Sequence, residues 1–171
     1  MLEAAKISYS STAFVQVMEP RNIISLAAFK GQGGVLNQAL SITLPITPRR
    51  ISVDGLSYLW SGPDAWLLIG SATPDIADKI RNIAAITDQS DGQSLFKVSG
   101  PFARAILSKL VPIDLHESAF AADAVALTIA AHIGVRLWRE DDDFIVSCFR
   151  SFAGALLHAL GEAAAEFEPR G

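Results

Sequence analysis

Apolar residues recur along this chain at two spacings, and the spacings assign its elements. Residues 22–29 are rich in isoleucine and leucine and run to Gly31, as a strand does. Val35, Leu36, Ala39 and Leu40 then follow at helical spacing. Residues 45–50 hold two prolines and two arginines and read as a loop. Leu56, Tyr58 and Trp60 alternate as in a strand, Ser61-Gly62-Pro63-Asp64 is turn chemistry, and 65–69 is a continuous apolar run. These pieces predict a hairpin.

Thr73-Pro74 predicts a helix start, with Ile76, Ile80 and Ile83 on one face. Thr87 and Asp88 lead to a strand ending in Phe96-Lys97-Val98. Ser99-Gly100-Pro101 opens a second helix, striped by Phe102, Ile106 and Leu110 and stopped by Pro112. Strands are expected at 125–131, 135–138 and 144–149, with the acidic run Glu140 to Asp143 turning between the last two. Ser151 is expected to cap a closing helix whose buried face is Phe152, Leu156, Ala159, Leu160, Ala163 and Phe167.

The order is βαββαβ followed by αβββα, so the fold class is α+β. The first block has the ferredoxin-like, split βαβ order, and the second reads as a rearranged or incomplete second copy. The expected organisation is an N-terminal arm over 1–20 and one α+β domain over 21–168, in two halves, 21–98 and 99–168.

Composition narrows the function. Of the 171 residues, 50% are hydrophobic and 19% charged, and the mean hydropathy is +0.33. Such a surplus points to a large core or to apolar surface that meets a partner. The net charge of −4, with no basic stretch interleaved with aromatics, argues against nucleic acid. The run 119–135 is broken by Asp123 and His132, so no membrane span is expected. One cysteine, Cys148, allows no intrachain disulfide, and a cytoplasmic protein is the simplest reading.

The search for chemistry is mostly negative. Gly31-Gln32-Gly33-Gly34 resembles a dinucleotide-binding turn with Asp54 as the ribose acid, but position 36 is Leu36, and a plain turn is the better reading. His116, His132 and His158 have no metal-ligand spacing. His116, two residues after Asp114, reads as part of a capped loop. Cys148 alternates with Val146 and Phe144 and is expected to point into a core. No serine-hydrolase elbow, phosphate loop or calcium loop is present. No catalytic, cofactor-binding or metal residue is therefore expected. Trp60, Trp66, Trp138, Arg139 and Arg150 are candidate partner contacts, because aromatic and arginine side chains anchor interfaces. Ser99, Gly100 and Arg104 are a candidate anion or folate-like site at a helix start. Asp88 and Ser90 are expected to organise a turn through backbone N–H groups.

An ordered set of short motifs adds a resemblance. Leu59-Trp60-Ser61-Gly62-Pro63-Asp64-Ala65-Trp66 stands upstream of Asp88-Gln89-Ser90-Asp91-Gly92. Ser99-Gly100-Pro101, Ala103, Arg104 and Asp114-Leu115-His116 come next, then Leu137-Trp138-Arg139 and Arg150-Ser151-Phe152-Ala153. This set resembles the gamma subunits of heterotetrameric sarcosine oxidase, from about Asn22 to Leu160. The central stretch also resembles part of the folate-binding aminomethyltransferase fold. The resemblance implies a non-catalytic subunit acting in assembly and stabilisation of a complex that oxidises sarcosine to glycine. FAD, FMN, NAD, zinc and tetrahydrofolate would then belong to the alpha, beta and delta partner subunits, with no cofactor in this chain. A folate or small-molecule binding module is the alternative, and the isolated chain is expected to be capable of homo-oligomerising.

Overall fold

The computed structural model describes residues 12–19, 21–70 and 76–168. The expected helix start at Thr73-Pro74 lies outside them. The chain is α+β, with two five-stranded antiparallel sheets and four short helices among the described residues.

The first sheet holds β2 (Asn22–Ala28), β3 (Arg50–Val53), β4 (Leu56–Gly62), β5 (Ala65–Gly70) and β6 (Ala84–Asp88), in the order β3-β4-β5-β2-β6. The second holds β1 (Val15–Val17), β7 (Gln93–Val98), β8 (Val125–Ala130), β9 (Ile133–Glu140) and β10 (Asp143–Phe149), in the order β1-β7-β10-β9-β8. The helices are α1 (Gly33–Leu40), α2 (Ala77–Ile80), α3 (Ala103–Ser108) and α4 (Ala153–Ala164).

The two sheets repeat one plan. Each has a strand, a helix, a three-strand meander and a second helix, with the first strand inserted beside the third strand of the meander. The fifth place, beside that first strand, is filled by β6 in one sheet. In the other it is filled by β1, which comes from the opposite end of the sequence. The stretch expected to be part of an arm thus contributes an edge strand. Val15, Gln16 and Val17 pair with Val98, Lys97 and Phe96, and Val15 is fully buried. A three-residue strand carries too little periodicity to be visible in sequence.

The period-2 alternation of the strands builds the layers. On β2, Ile24 and Leu26 face α1 and α2, while Ile23 faces the other sheet. On β10, Phe144, Val146 and Cys148 pack with α3 and α4, while Ile145 meets the first sheet. A third apolar layer results between the sheets, formed by Ile23, Leu59, Leu67, Ile69, Leu95, Val125, Trp138 and Ile145.

Several expectations change in detail. The sheets divide at the turn Gln89 to Gly92 and not after Val98, because β7 pairs with β10 and β1. β3 and β6 are added strands, β3 joined to β4 by Asp54 and Gly55 at φ 50° and 78°. An Asp-Gly pair suits such a two-residue hairpin. Neither Ser99 nor Ser151 caps a helix through its side chain. Gly100, at φ 85°, turns the chain first and α3 begins three residues later, while a 3-10 turn over Arg150–Phe152 precedes α4. On α4 the buried face is Ala153, Leu156, Leu157, Leu160, Ala163 and Ala164. Phe152 is about half exposed, and Phe167 stacks on Phe102 with ring centroids 4.9 Å apart.

Candidate functional site

The expected partner contacts separate into two groups. Trp66 and Trp138 are buried in this chain's own core. Trp66 lies beneath α1 and α2 and donates its indole N–H to the Pro45 carbonyl at 2.8 Å. Trp138 lies between the sheets and donates to Glu140 Oε1 at 3.1 Å. Neither offers a face to another molecule, because each sits on a strand with both sides covered. Trp60 is half-buried and stands opposite Trp66 in the β4–β5 pairing. Arg139 is mostly covered, lying 5.7 Å from the Phe144 ring centroid and 3.7 Å from the Asp142 carboxylate. Arg150 is exposed on the 3-10 turn after β10.

Of the expected anion-site residues, two share a pocket and one does not. Gly100 and Arg104 line a small pocket of about 280 Å³ with Arg139, Glu117, Asp142 and Phe144. Ser99 is not in its lining; its N–H bonds to the Phe14 carbonyl at 2.9 Å. Arg104 donates to the Leu115 carbonyl and to Glu117, both at 3.0 Å, and lies over the same Phe144 ring as Arg139. Both guanidinium groups thus have carboxylate neighbours, and their geometry ties the loop after α3 to the β9–β10 turn.

A larger cleft, about 900 Å³, opens at one end of the layer between the sheets. Two ion pairs cross between elements there: Arg21 holds Glu140 through both carboxylate oxygens at 2.7 and 2.9 Å, and Lys97 lies 3.5 Å from Asp143, while Arg50 in the same lining donates to the Ser52 and Ser57 hydroxyls. Sequence reasoning missed these pairs, since Arg21 and Glu140 are 119 residues apart. The visible signal was Glu140 in phase with Trp138 on the same strand face.

The remaining candidates take quiet positions. Gly31 to Gly34 opens α1, but β2 pairs antiparallel on both sides, so no parallel dinucleotide-binding unit exists there. Gly33 allows close approach, since a Cβ there would lie 3.2 Å from Asp64 Oδ1. Asp54 is a hairpin residue. The His116 N–H bonds to Asp114 Oδ1 at 2.8 Å, and its ring Nδ1 pairs with Ser118 Oγ, which makes the capped loop. Burial pushes the Cys148 thiol up to about 11, so it stays protonated and unreactive near neutral pH. Among the described residues, no three His, Cys, Asp or Glu side chains gather as metal ligands.

Asp88 and Ser90 organise the turn that joins the sheets. Ser90 Oγ accepts the Ile23 N–H at 3.0 Å and donates to Asp88 Oδ1 at 2.6 Å; Asp88 also accepts the Ser90 N–H. The Ser90 hydroxyl holds the Asp88 carboxyl below its ordinary value, with the Ser90 N–H adding to it. Ser90→Ala should therefore destabilise the chain by about 1–2 kcal/mol at neutral pH, because it strands the Ile23 donor. Part of the difference from wild type should fade as pH falls, since protonating Asp88 removes its share of the network. Urea midpoints at neutral and acidic pH measure both effects, and equal midpoints for the two proteins would refute this role.

With this geometry in place, comparison with known proteins is informative. Residues 26–166 match the model of the sarcosine oxidase, gamma subunit family. The chain belongs to that family. It is 32% identical to the sarcosine oxidase subunit gamma of Corynebacterium sp. (strain P-1), over 84% of this chain and 76% of that protein. It is 28% identical to that of Corynebacterium sp. (strain U-96), over 97% of this chain and 86% of that protein. Its fold superposes on a chain of heterotetrameric sarcosine oxidase from Corynebacterium sp. U-96 with TM-score 0.81 and 27% identity. That match covers 92% of this chain and 86% of the other. The gamma-subunit match spans both sheets, so the family assignment applies to the whole sandwich and not to one motif.

Proposed function

We propose that this chain is a non-catalytic gamma subunit of a heterotetrameric sarcosine oxidase and acts in its assembly and stabilisation. The observation that carries this reading is the likeness, over 92% of this chain, to a chain of such a complex. Oxidation of sarcosine to glycine, and the linked one-carbon transfer to tetrahydrofolate, would then proceed on the alpha, beta and delta subunits. Those subunits would hold FAD, FMN, NAD and zinc. The described residues support this division: the cysteine is buried and protonated, the histidine of the capped loop is spent on its neighbours, and the arginines of the small pocket face carboxylates. Among the described residues no helix is long and apolar enough to cross a membrane, and we place the complex in the cytoplasm.

The sheet order supports a finer reading of the fold. We read the strand order β6-β2-β5-β4 as a split βαβ, ferredoxin-like unit with β3 added at the edge. On this reading the second sheet, in the order β1-β7-β10-β9-β8, is the same unit completed by β1. We read the pair as corresponding to part of the aminomethyltransferase folate-binding fold.

The test is to co-express this chain with the other three subunits from the same source, with the tag on a large subunit. This chain should co-purify in stoichiometric amount, and omitting it should lower the yield and thermal stability of the complex. A complex of unchanged composition, stability and activity without it would overturn the reading.

A further inference from the structure

The two sheets do not cover each other completely. Beyond Trp138, the face of β8, β9 and β10 that is turned toward the first sheet runs past its edge into an open groove of about 490 Å³. The groove has an apolar rim: Leu127 is 48% exposed, Ile129 45% and Phe149 60%. Its floor includes Gly134, opposite Ile129 on the neighbouring strand, where an added Cβ would meet nothing within 4 Å. β8 is the edge strand of its sheet. Its two ends are covered, with the Val125 N–H bonded to the Pro48 carbonyl and the Ala131 N–H to that of Leu110. The apolar side chains between those ends are left open.

Arg136 lies in the same groove, in register with Leu127 on one side and Ser147 on the other. Burial pushes its guanidinium down from its ordinary value, and it donates to Ser61 Oγ at 2.8 Å. Its Nε is buried without a partner, as is Ser147 Oγ. Arg21, Arg104 and Arg139 each face a carboxylate, whereas among the described residues none pairs with Arg136. A desolvated cation with one neutral acceptor is an expensive arrangement in a free chain, and an incoming carboxylate relieves it.

We propose that this groove docks a segment of another subunit of the oxidase, which sets an Asp or Glu carboxylate against Arg136 and apolar side chains against Leu127, Ile129 and Phe149. The inference rests on the gamma-subunit reading and names the surface that reading requires. A second copy of this chain fits less well. In a two-fold contact the groove would meet itself, and its lining contains no acidic residue, so each Arg136 would face the other without a counter-charge.

The test uses the co-expressed complex and four variants of this chain. Gly134→Leu fills the floor, Phe149→Ser removes the rim, Arg136→Met removes the charge at similar length, and Arg136→Lys keeps it. The melting temperature of each isolated chain is the control, since an open glycine and an exposed phenylalanine can change without loss of fold, and replacing a buried charge by an apolar side chain is commonly neutral or stabilising. Gly134→Leu, Phe149→Ser and Arg136→Met should each weaken association with the other subunits at least about tenfold, with Arg136→Lys in between. If wild type assembles and the groove variants assemble equally well, the groove is not the docking surface. If only Gly134→Leu and Phe149→Ser weaken assembly, the acidic partner is wrong. If wild type itself fails to assemble, the gamma-subunit reading fails first. Loss of a wild-type homodimer in the same variants would assign the groove to a second copy and overturn the proposal.

Discussion

Shortening the chain to begin at Arg21 should cost at least about 4 kcal/mol of stability and make the product prone to aggregation. The deletion removes β1, which among the described residues is the partner of β7 on that edge. Burial of Val15, which is fully covered, is worth about 1.5–3 kcal/mol by itself. The β1–β7 ladder is also lost, together with the bonds from Ser99 N–H to the Phe14 carbonyl and from Met18 N–H to the Leu95 carbonyl. Each of these is worth about 0.5–1.5 kcal/mol. Phe14 would no longer pack edge-on against Phe102, 5.7 Å away, nor cover Gly100. A typical domain has about 5–15 kcal/mol in total, so the loss is a large share. The newly bare edge of β7 carries Phe96 and Val98 on one face, and an unpaired edge with an apolar face favours pairing with another chain. Denaturant titration and light scattering read the two effects. A peptide spanning residues 12–19, added in excess, should restore part of the midpoint by refilling the edge. A shortened chain within about 1 kcal/mol of wild type would show that β1 is dispensable.

How much of this architecture could be read in advance depended on whether its signal was local. β2, β4, β5, β9 and β10 were legible because four or more residues alternate or run apolar between turn residues. The Asp88–Ser90 turn was legible because short polar side chains act on backbone two residues away. β1 was not, because three residues have no period and their partner lies about eighty positions downstream. β3 was hidden by the prolines before it, although Asp54-Gly55 carried a hairpin signal that the glycine-rich turn upstream drew attention away from. Two of the candidate contacts, Trp66 and Trp138, are buried in this chain's own core. An aromatic beside a turn looks the same in sequence whether its strand is covered on one face or two, and Trp66 and Trp138 lie where both faces are covered. Arg136 was within reach of the sequence, as a cation in phase with Trp138 on an apolar strand. Its importance comes from the two sheets failing to overlap there, and no local pattern encodes that.

Trp138→Ala should destabilise the isolated chain by about 3–5 kcal/mol. The indole is fully buried in the layer that joins the sheets, with Val125 opposite it on β8 and Ile145 opposite it on β10. Neighbouring strands hold the space open, so the cavity cannot collapse without moving one sheet against the other. The substitution also removes the 3.1 Å bond to Glu140, whose carboxylate is gripped by Arg21 just before β2. Trp138→Phe keeps one ring in the layer while losing the indole donor and part of the volume, and should cost about 1–3 kcal/mol, less than the alanine. Glu140 remains held by Arg21 in that variant, which limits the damage. A residue whose role is to touch a partner behaves in the opposite way, leaving the free chain within about 0.5 kcal/mol of wild type and weakening only assembly. Urea unfolding of the isolated chain therefore decides the role of Trp138 directly. A midpoint unchanged by Trp138→Ala would mean that the layer between the sheets is not packed as described.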